Sequence, residues 1–160
     1  MIILGIDPST FTGMVRLEEE ESTGKAVNFP KLKGFQRLIS LRKEVQRTVE
    51  LWKPDIVVIE GYAYGNAFTI VTLVEIGATI RLSLYELGIN WYDCPPTTLK
   101  KWVTGKGNAK KPEVGEFVKS RWGFASPSDD IVDAYALSRL GQHIGINGVT
   151  PDLKGVVRGW

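Results

Sequence analysis

The sequence predicts an α/β domain: a mixed five-stranded sheet in the order 3-2-1-4-5, with helices on its faces. Three observations predict it. An apolar run, Ile2-Ile3-Leu4-Gly5-Ile6, stops at Asp7-Pro8-Ser9-Thr10, residue types that close a strand with a turn. A second run, Ile56-Val57-Val58-Ile59, shows no polar alternation and fits a strand buried on both faces of a parallel sheet. Long stretches between and after these runs repeat their apolar residues at helical spacing.

Taken in order, Ile2–Ile6 is the first strand and Thr12–Leu17 the second. Glu18–Lys25 reads as a polar turn with Gly24 near its end, and Ala26–Phe29 returns as a third strand, closing an antiparallel meander. From Gly34 to Trp52 the residues Phe35, Leu38, Ile39, Leu41, Val45, Val49 and Trp52 trace a helical stripe, and Lys53-Pro54 ends it. Asp55–Glu60 is the fourth strand. Asn66–Leu87 is a second helix burying Ile70, Leu73, Val74, Gly77, Ile80, Leu84 and Leu87. Gly77 in its middle costs about 1 kcal/mol relative to Ala, a cost that close packing on the sheet would explain. Ile89–Cys94 is the fifth strand, stopped by Pro95-Pro96. Thr97–Val103 reads as a short helix, Thr104–Lys111 as a Gly/Lys-rich loop, and Pro112–Trp122 as a helix with proline in its first turn. Ser126–Ile144 is the last long helix. Ser126, Pro127 and Ser128 mark its start, and two aspartates then favour the positive end of its dipole. One domain is expected over residues 1–146, with 147–160 as a Gly-rich tail.

At 160 residues, 43% hydrophobic and 24% charged, the composition is that of a single globular domain. No apolar run approaches the ~18 residues that span a bilayer. Met1 leads straight into the first strand, so no signal peptide is expected and a cytoplasmic location is. The single cysteine, Cys94, excludes an internal disulfide and reads as a small buried hydrophobe. Net charge is only +2, but base is concentrated in two places. Residues 31–47 carry Lys31, Lys33, Arg37, Arg42, Lys43 and Arg47 against Glu44. Residues 97–122 carry Lys100, Lys101, Lys106, Lys110, Lys111, Lys119 and Arg121 against Glu113 and Glu116. Such stretches read either as a polyanion-binding face or as solvated helix surface.

The chemistry-bearing residues are acidic. In open α/β sheets the functional crevice lies beyond the carboxyl ends of the strands. Asp7 ends the first strand and Glu60 the fourth, and the expected order makes those strands neighbours. Like charges that close are unfavourable unless a cation neutralises them, and an all-oxygen donor set selects Mg²⁺, with Mn²⁺ as a substitute. Asp130 and Asp133, three apart, share a helix face, and Asp129 and Asp133, four apart, are compatible with one too. Four carboxylates meeting at one point can hold two divalent ions, which suits phosphodiester hydrolysis. Each acid has a plainer reading. Asp7 before proline is a turn former and Asp129 and Asp130 are helix caps, whereas Glu60 ends an apolar run with no basic neighbour. Nothing in the spacing shows how the last helix reaches the sheet's carboxyl edge.

Gly5-Ile6-Asp7-Pro8-Ser9-Thr10, followed by Thr12-Gly13, resembles the opening motif of the RuvC family of Holliday-junction resolvases, usually GIDPG. Val57-Val58-Ile59-Glu60 is similar to that family's second acidic motif, and Asp130-Ile131-Val132-Asp133-Ala134 to its terminal D-x-x-D-A. Between them, Leu99 to Lys111 resembles the family's basic segment, a V-x-G-x-G-x-A loop between two lysines. The resemblance spans about residues 1–144. It implies an RNase H-like fold, a homodimer with two active sites, and Mg²⁺-dependent symmetric nicking of branched DNA, specifically four-way junctions. It matches Asp7, Glu60, Asp130 and Asp133 to the metal ligands, and Lys100 and Lys111 to the functional lysines. Lys111 would then stabilise charge on the scissile phosphate and Lys100 grip the strand beside it, with Lys106 and Lys110 adding DNA contacts and Gly105 and Gly107 admitting the backbone close to a phosphate.

The sequence departs from the pattern in two places. Ser9-Thr10 replaces the glycine after Asp7-Pro8. After Glu60 comes Gly61-Tyr62-Ala63-Tyr64-Gly65, where the family places an aromatic that stacks on junction bases; Tyr62 and Tyr64 are candidates, with core packing as the alternative. The departures look more like phage-type members, for which partnership with a branch-migration motor is doubtful. His143 reads as structural. A nuclease of the same fold acting on forks, flaps or RNA–DNA hybrids would use the same acids. An actin-like phosphate binder shares the Gly-x-Asp turn but needs two such domains, and a non-catalytic DNA-binding module does not explain the acids.

Overall fold

The computed structural model describes residues 1–62 and 67–159. The elements follow as β1 (Ile2–Asp7), β2 (Thr12–Glu18), β3 (Glu21–Val27), α1 (Gly34–Trp52), β4 (Ile56–Glu60), α2 (Ala67–Glu86), β5 (Trp91–Cys94), α3 (Pro96–Thr104), α4 (Lys111–Trp122), α5 (Asp129–Asn147) and β6 (Val157–Arg158). One mixed sheet runs β3-β2-β1-β4-β5-β6. β1 pairs antiparallel with β2 and parallel with β4, and β4 pairs parallel with β5.

The expected order 3-2-1-4-5 is therefore present, extended by a sixth strand. β6 pairs antiparallel with β5 through Tyr92 and Asp93. It comes from the segment read as a tail, because two residues are too few to show any alternation. Leu153 and Val156 from the same segment are buried. β3 also differs, starting at Glu21 rather than Ala26. Glu18 pairs with Glu21, which leaves a two-residue turn with Glu19 at φ 55°. β3 is an edge strand whose side chains are mostly exposed. Its polar composition carries no hydrophobic period and so reads as turn.

Both faces of the sheet are covered, and period-two alternation sends neighbouring residues into separate cores. Ile3 and Val58 face α3, α4 and α5, packing with Leu99, Val103, Val114, Val118, Tyr135 and Leu137. Leu4, Ile6, Val57 and Ile59 face α1 and α2, packing with Leu41, Val45, Val49, Ile76, Ile80 and Leu84. Arg42 donates two hydrogen bonds to Glu86, at 2.8 and 2.7 Å, tying α1 to α2. Arg47 pairs with Glu44 at 3.0 Å. Part of the basic 31–47 stretch is thus neutralised within the helices. Among the described residues, no helix is long and apolar enough to cross a membrane.

Candidate active site

The last helix reaches the carboxyl edge of the sheet because two glycines let it. A Cβ on Gly5 would stand 2.0 Å from the Ala134 carbonyl oxygen and 2.6 Å from the Ser138 nitrogen. One on Gly13 would stand 2.1 Å from the Asp130 carbonyl oxygen. In both places the backbone of α5 lies directly on the sheet, where any side chain would force it away. Gly13 is the cross-strand partner of Asp7. Gly5 and Asp7, two apart on β1, point to the same face as Ile3, which packs under α5. Asp130 and Asp133 are thereby delivered beside Asp7. Glu60 arrives from the adjacent parallel strand, since Ile6 pairs with Ile59.

The carboxylates line a cleft of about 300 Å³ together with Ser9, Tyr62, Arg81, Lys100 and Lys111. Asp7 is only 4% exposed. Burial holds its carboxyl well above the usual range; Glu60, Asp133 and Asp130 push the same way, and Lys111 opposes them. Burial likewise pushes Glu60 up to about 7, with Asp133 adding to the shift, while a hydrogen bond with Asp7 and the charges of Lys100 and Lys111 oppose it. Asp133 is also raised, again chiefly by burial, with Lys111 working against it. Lys111 Nζ stands 3.7 Å from Asp133 Oδ2. Burial alone would lower its pKa, but Asp133, Asp7, Asp130 and Asp129 together raise it, so the ammonium keeps its proton.

Asp130 lines the cleft, whereas Asp129 is exposed and does not. Ser9 Oγ donates to Asp130 Oδ1 at 3.0 Å and accepts from the Phe11 N–H at 3.0 Å. A backbone N–H can only donate, so the single hydroxyl proton of Ser9 is directed at the carboxylate. Sequence reasoning treated Ser9 only as a departure in a turn, and the structure makes it a partner of Asp130.

As a donor set the four carboxylates suit a hard divalent cation, and the burial and like charge that raise Asp7, Glu60 and Asp133 are the strain such a cation relieves. Among the described residues, no three His, Cys, Asp or Glu side chains are grouped as a ready-made metal cage. Asp130 is engaged by Ser9 and Asp133 by Lys111. A carboxylate has about four lone-pair sites, so one partner each leaves capacity for an ion.

The remaining candidates divide. Lys100 and Lys111 line the cleft. Lys106 and Lys110 do not; they stand exposed on the adjoining loop, Lys106 within 3.3 Å of Glu113. Gly105 serves as the left-handed C-cap of α3, with φ 82°. Tyr62 lies on the cleft wall and is 45% exposed, while Tyr64 lies outside the described residues. His143 approaches Thr150 and Asn147, at 3.4 and 3.2 Å, and does not line the cleft. Cys94 is buried, and burial, with Glu60 adding, pushes its thiol up to about 12. Gly77 needs a correction: its missing Cβ makes room not for the sheet but for Tyr62 Cε1 and Arg81 Nη1, which a methyl would meet at 2.8 and 2.9 Å. Arg81 was missed in the sequence, although an arginine beside Ile80 on the apolar side of a helix is a signal for a specific partner.

The family model for the crossover junction endodeoxyribonuclease RuvC matches residues 3–139. A crossover junction endodeoxyribonuclease RuvC of Caldicellulosiruptor saccharolyticus is 30% identical over 149 residues, covering 86% of this chain and 90% of that one. Among solved structures, that of Thermus thermophilus RuvC superposes with a TM-score of 0.78 at 21% identity, covering 92% of this chain and 97% of the other. The T. thermophilus RuvC structure in complex with a Holliday junction substrate gives a TM-score of 0.76 at 18% identity over the same shares. The range that the family model matches takes in Asp7, Glu60, Asp130 and Asp133, and the chain belongs to the crossover junction endodeoxyribonuclease RuvC family.

Proposed function

We propose that this endodeoxyribonuclease resolves Holliday junctions by hydrolysing phosphodiester bonds in the cleft formed by Asp7, Glu60, Asp130 and Asp133, with Mg²⁺ as the cofactor and Mn²⁺ as a substitute. One observation carries the reading: carboxylates from β1, β4 and α5 crowd into one cleft, where burial first and neighbouring carboxylates second raise the pKa of Asp7, Glu60 and Asp133. Such crowding is unfavourable for the fold by itself and makes sense where a cation joins the group.

Asp7 and Glu60 would be the inner ligands, being the most buried, with Asp130 and Asp133 completing the set from α5. Divalent ions, when bound, supply activation of the attacking water and stabilisation of the leaving oxygen. Lys111, kept charged by the surrounding acids, faces the scissile phosphate and stabilises the negative charge that builds there. Lys100, on the same wall, holds the strand beside it. Lys106 and Lys110, exposed on the adjoining loop, add phosphate contacts that carry affinity without sequence information. Tyr62, on the cleft wall, offers part of its ring to an unpaired base at the branch point.

Two such sites acting on opposite strands require a homodimer. Val71, Val74, Leu82 and Tyr85 support one: all are exposed, and their spacing along α2 places them on one stripe of the helix. Catalysis is assigned to residues 1–146 and action to the cytoplasm, and the two departures, at Ser9-Thr10 and after Glu60, together favour a phage-type member that works without a branch-migration motor.

A cleavage panel tests the reading: four-way junction, fork, flap and RNA–DNA hybrid, each with Mg²⁺, Mn²⁺ or chelator, with the protein's mass in solution measured alongside. Paired nicks in the junction alone, dependent on the divalent ion and made by a dimer, are expected. Equal cutting of the other substrates, or cutting in chelator, would overturn it.

A further inference from the structure

The wall of the cleft opposite α5 holds a second cluster. Arg81, on α2, has a side chain only 13% exposed. Its Nε donates to Asp93 Oδ1 at 2.9 Å, and its Nη2 also reaches that oxygen. Nη1 donates to the Gly77 carbonyl at 3.0 Å, and Nη2 to the Glu60 carbonyl at 3.3 Å. Asp93 is fixed from its other side by the Trp91 indole N–H at 3.0 Å. The guanidinium plane is therefore held from several directions before anything touches its face. Against that face lies the ring of Tyr62, its centroid 4.5 Å from Arg81 Cζ. The ring's edge rests on Gly77, where an added Cβ would meet Tyr62 Cε1 at 2.8 Å and Arg81 Nη1 at 2.9 Å.

Two features make this more than packing. Glu60 and Tyr62 are two residues apart, and one side chain, Arg81, contacts the carbonyl of the first and the ring of the second. The arginine's charge is already matched by Asp93, so it is not spare charge for a phosphate but a braced platform. We propose that Arg81 is a positioning residue: it locks the Tyr62 ring and the backbone of Glu60 into one unit, so that a branch-point base seated on the exposed part of the ring is held in fixed register with the catalytic carboxylate. This rests on the reading of Tyr62 as the stacking residue. Its consequence is that occupation of the ring and alignment of Glu60 are coupled through a residue whose charge is already matched by Asp93.

Three variants of the full chain test it: Arg81→Lys, which keeps the charge beside Asp93 but loses the planar fork and the stacking face; Gly77→Ala, which favours the helix and intrudes on both Tyr62 and Arg81; and Tyr62→Leu. The readouts are thermal unfolding, the fluorescence of 2-aminopurine placed at the branch point of a bound four-way junction, and the single-turnover cleavage rate at saturating protein. Gly77→Ala and Arg81→Lys should both remain folded, lose most of the fluorescence change, and slow cleavage roughly five- to thirty-fold with little change in junction affinity. Adding Tyr62→Leu to either should cost nothing further, because the effects act through the same ring. If Tyr62→Leu abolishes the fluorescence change while both other variants retain it, the proposal for Arg81 is overturned and the role of Tyr62 stands. If Tyr62→Leu leaves fluorescence and rate unchanged, the stacking reading fails and the proposal goes with it. Should Arg81→Lys unfold, Gly77→Ala decides alone.

Discussion

The acidic cleft and the basic segment that borders it are built on opposite plans. Asp7, Glu60 and Asp133 come from regular elements, are largely buried, and are held where they repel one another. Lys106 and Lys110 sit on an exposed loop, and Lys106 is occupied by no more than a surface partner, Glu113. In the proposed reaction the first arrangement sacrifices stability for placement, because a reacting phosphate must be met to within a fraction of an ångström. The second needs only charge near a polyanion, for which position hardly matters and mobility does no harm. Lys111 belongs to both: it opens the helix after the loop and leans on Asp133.

If that division is right, substitutions in the two regions separate cleanly. Asp7→Asn should lower the single-turnover cleavage rate on the order of 10³-fold or more while leaving junction affinity within about threefold. An affinity loss as large as the rate loss would mean that Asp7 holds the fold rather than the reaction. Lys111→Ala should slow cleavage about 10- to 100-fold at saturating protein, with a far smaller change in affinity; an unchanged rate would remove it from the site and return it to the loop.

Stability against pH sharpens the contrast. Asp7, Glu60 and Asp133 have folded-state pKa values above those of the unfolded chain. Between the ordinary carboxylate range and the value of about 7 for Glu60, the folded protein therefore binds more protons. The stability this provides is complete in acid and disappears as pH rises through neutrality. In chelator, Tm should fall by several degrees as pH is raised from about 5 to about 8. Asp7→Asn should flatten that fall, and Mg²⁺ should reverse it. The acids with lowered pKa, Glu44, Glu20 and Asp152, lose their contribution only as pH falls through and below the ordinary carboxylate range and do not mask the trend. A Tm that climbs across the window would contradict the crowding. The smallest effect belongs to the loop: Lys106→Ala or Lys110→Ala should each reduce the slope of log affinity against log salt by about 1, without changing the rate at saturation.

The fold was legible where burial imposes a period. β1, β4 and α1 follow from apolar runs and stripes because each is packed on the sheet's interior. It was not legible where an element borrows its stability from a neighbour: β3, exposed along the edge, and β6, two residues long, take their pairing from strands already in place. The acids were legible as residues but not as a site, since spacing along the chain says nothing of how α5 approaches the sheet. The answer lay in Gly5 and Gly13, quoted as letters of a motif, whose meaning is a distance between two backbones. Arg81 and Ser9 were overlooked for the same reason: their partners, Asp93 and Asp130, are fixed only by the tertiary fold.

The seating of α5 on those two glycines also bears on how such a chain tolerates change. Because the helix is docked by its own backbone against β1 and β2, its alignment is set by that contact and not by the number of residues, 68, that separate Glu60 from Asp129. Loops within that span can lengthen, shorten or acquire new recognition elements over evolutionary time, provided α3 and α4 still pack on α5 and Lys100 and Lys111 still reach the cleft. A single residue inserted between Asp133 and Ala134 enjoys no such licence, for it would turn both carboxylates about 100° around the helix axis relative to the contact at Gly5 and carry the Asp130 carbonyl off Gly13.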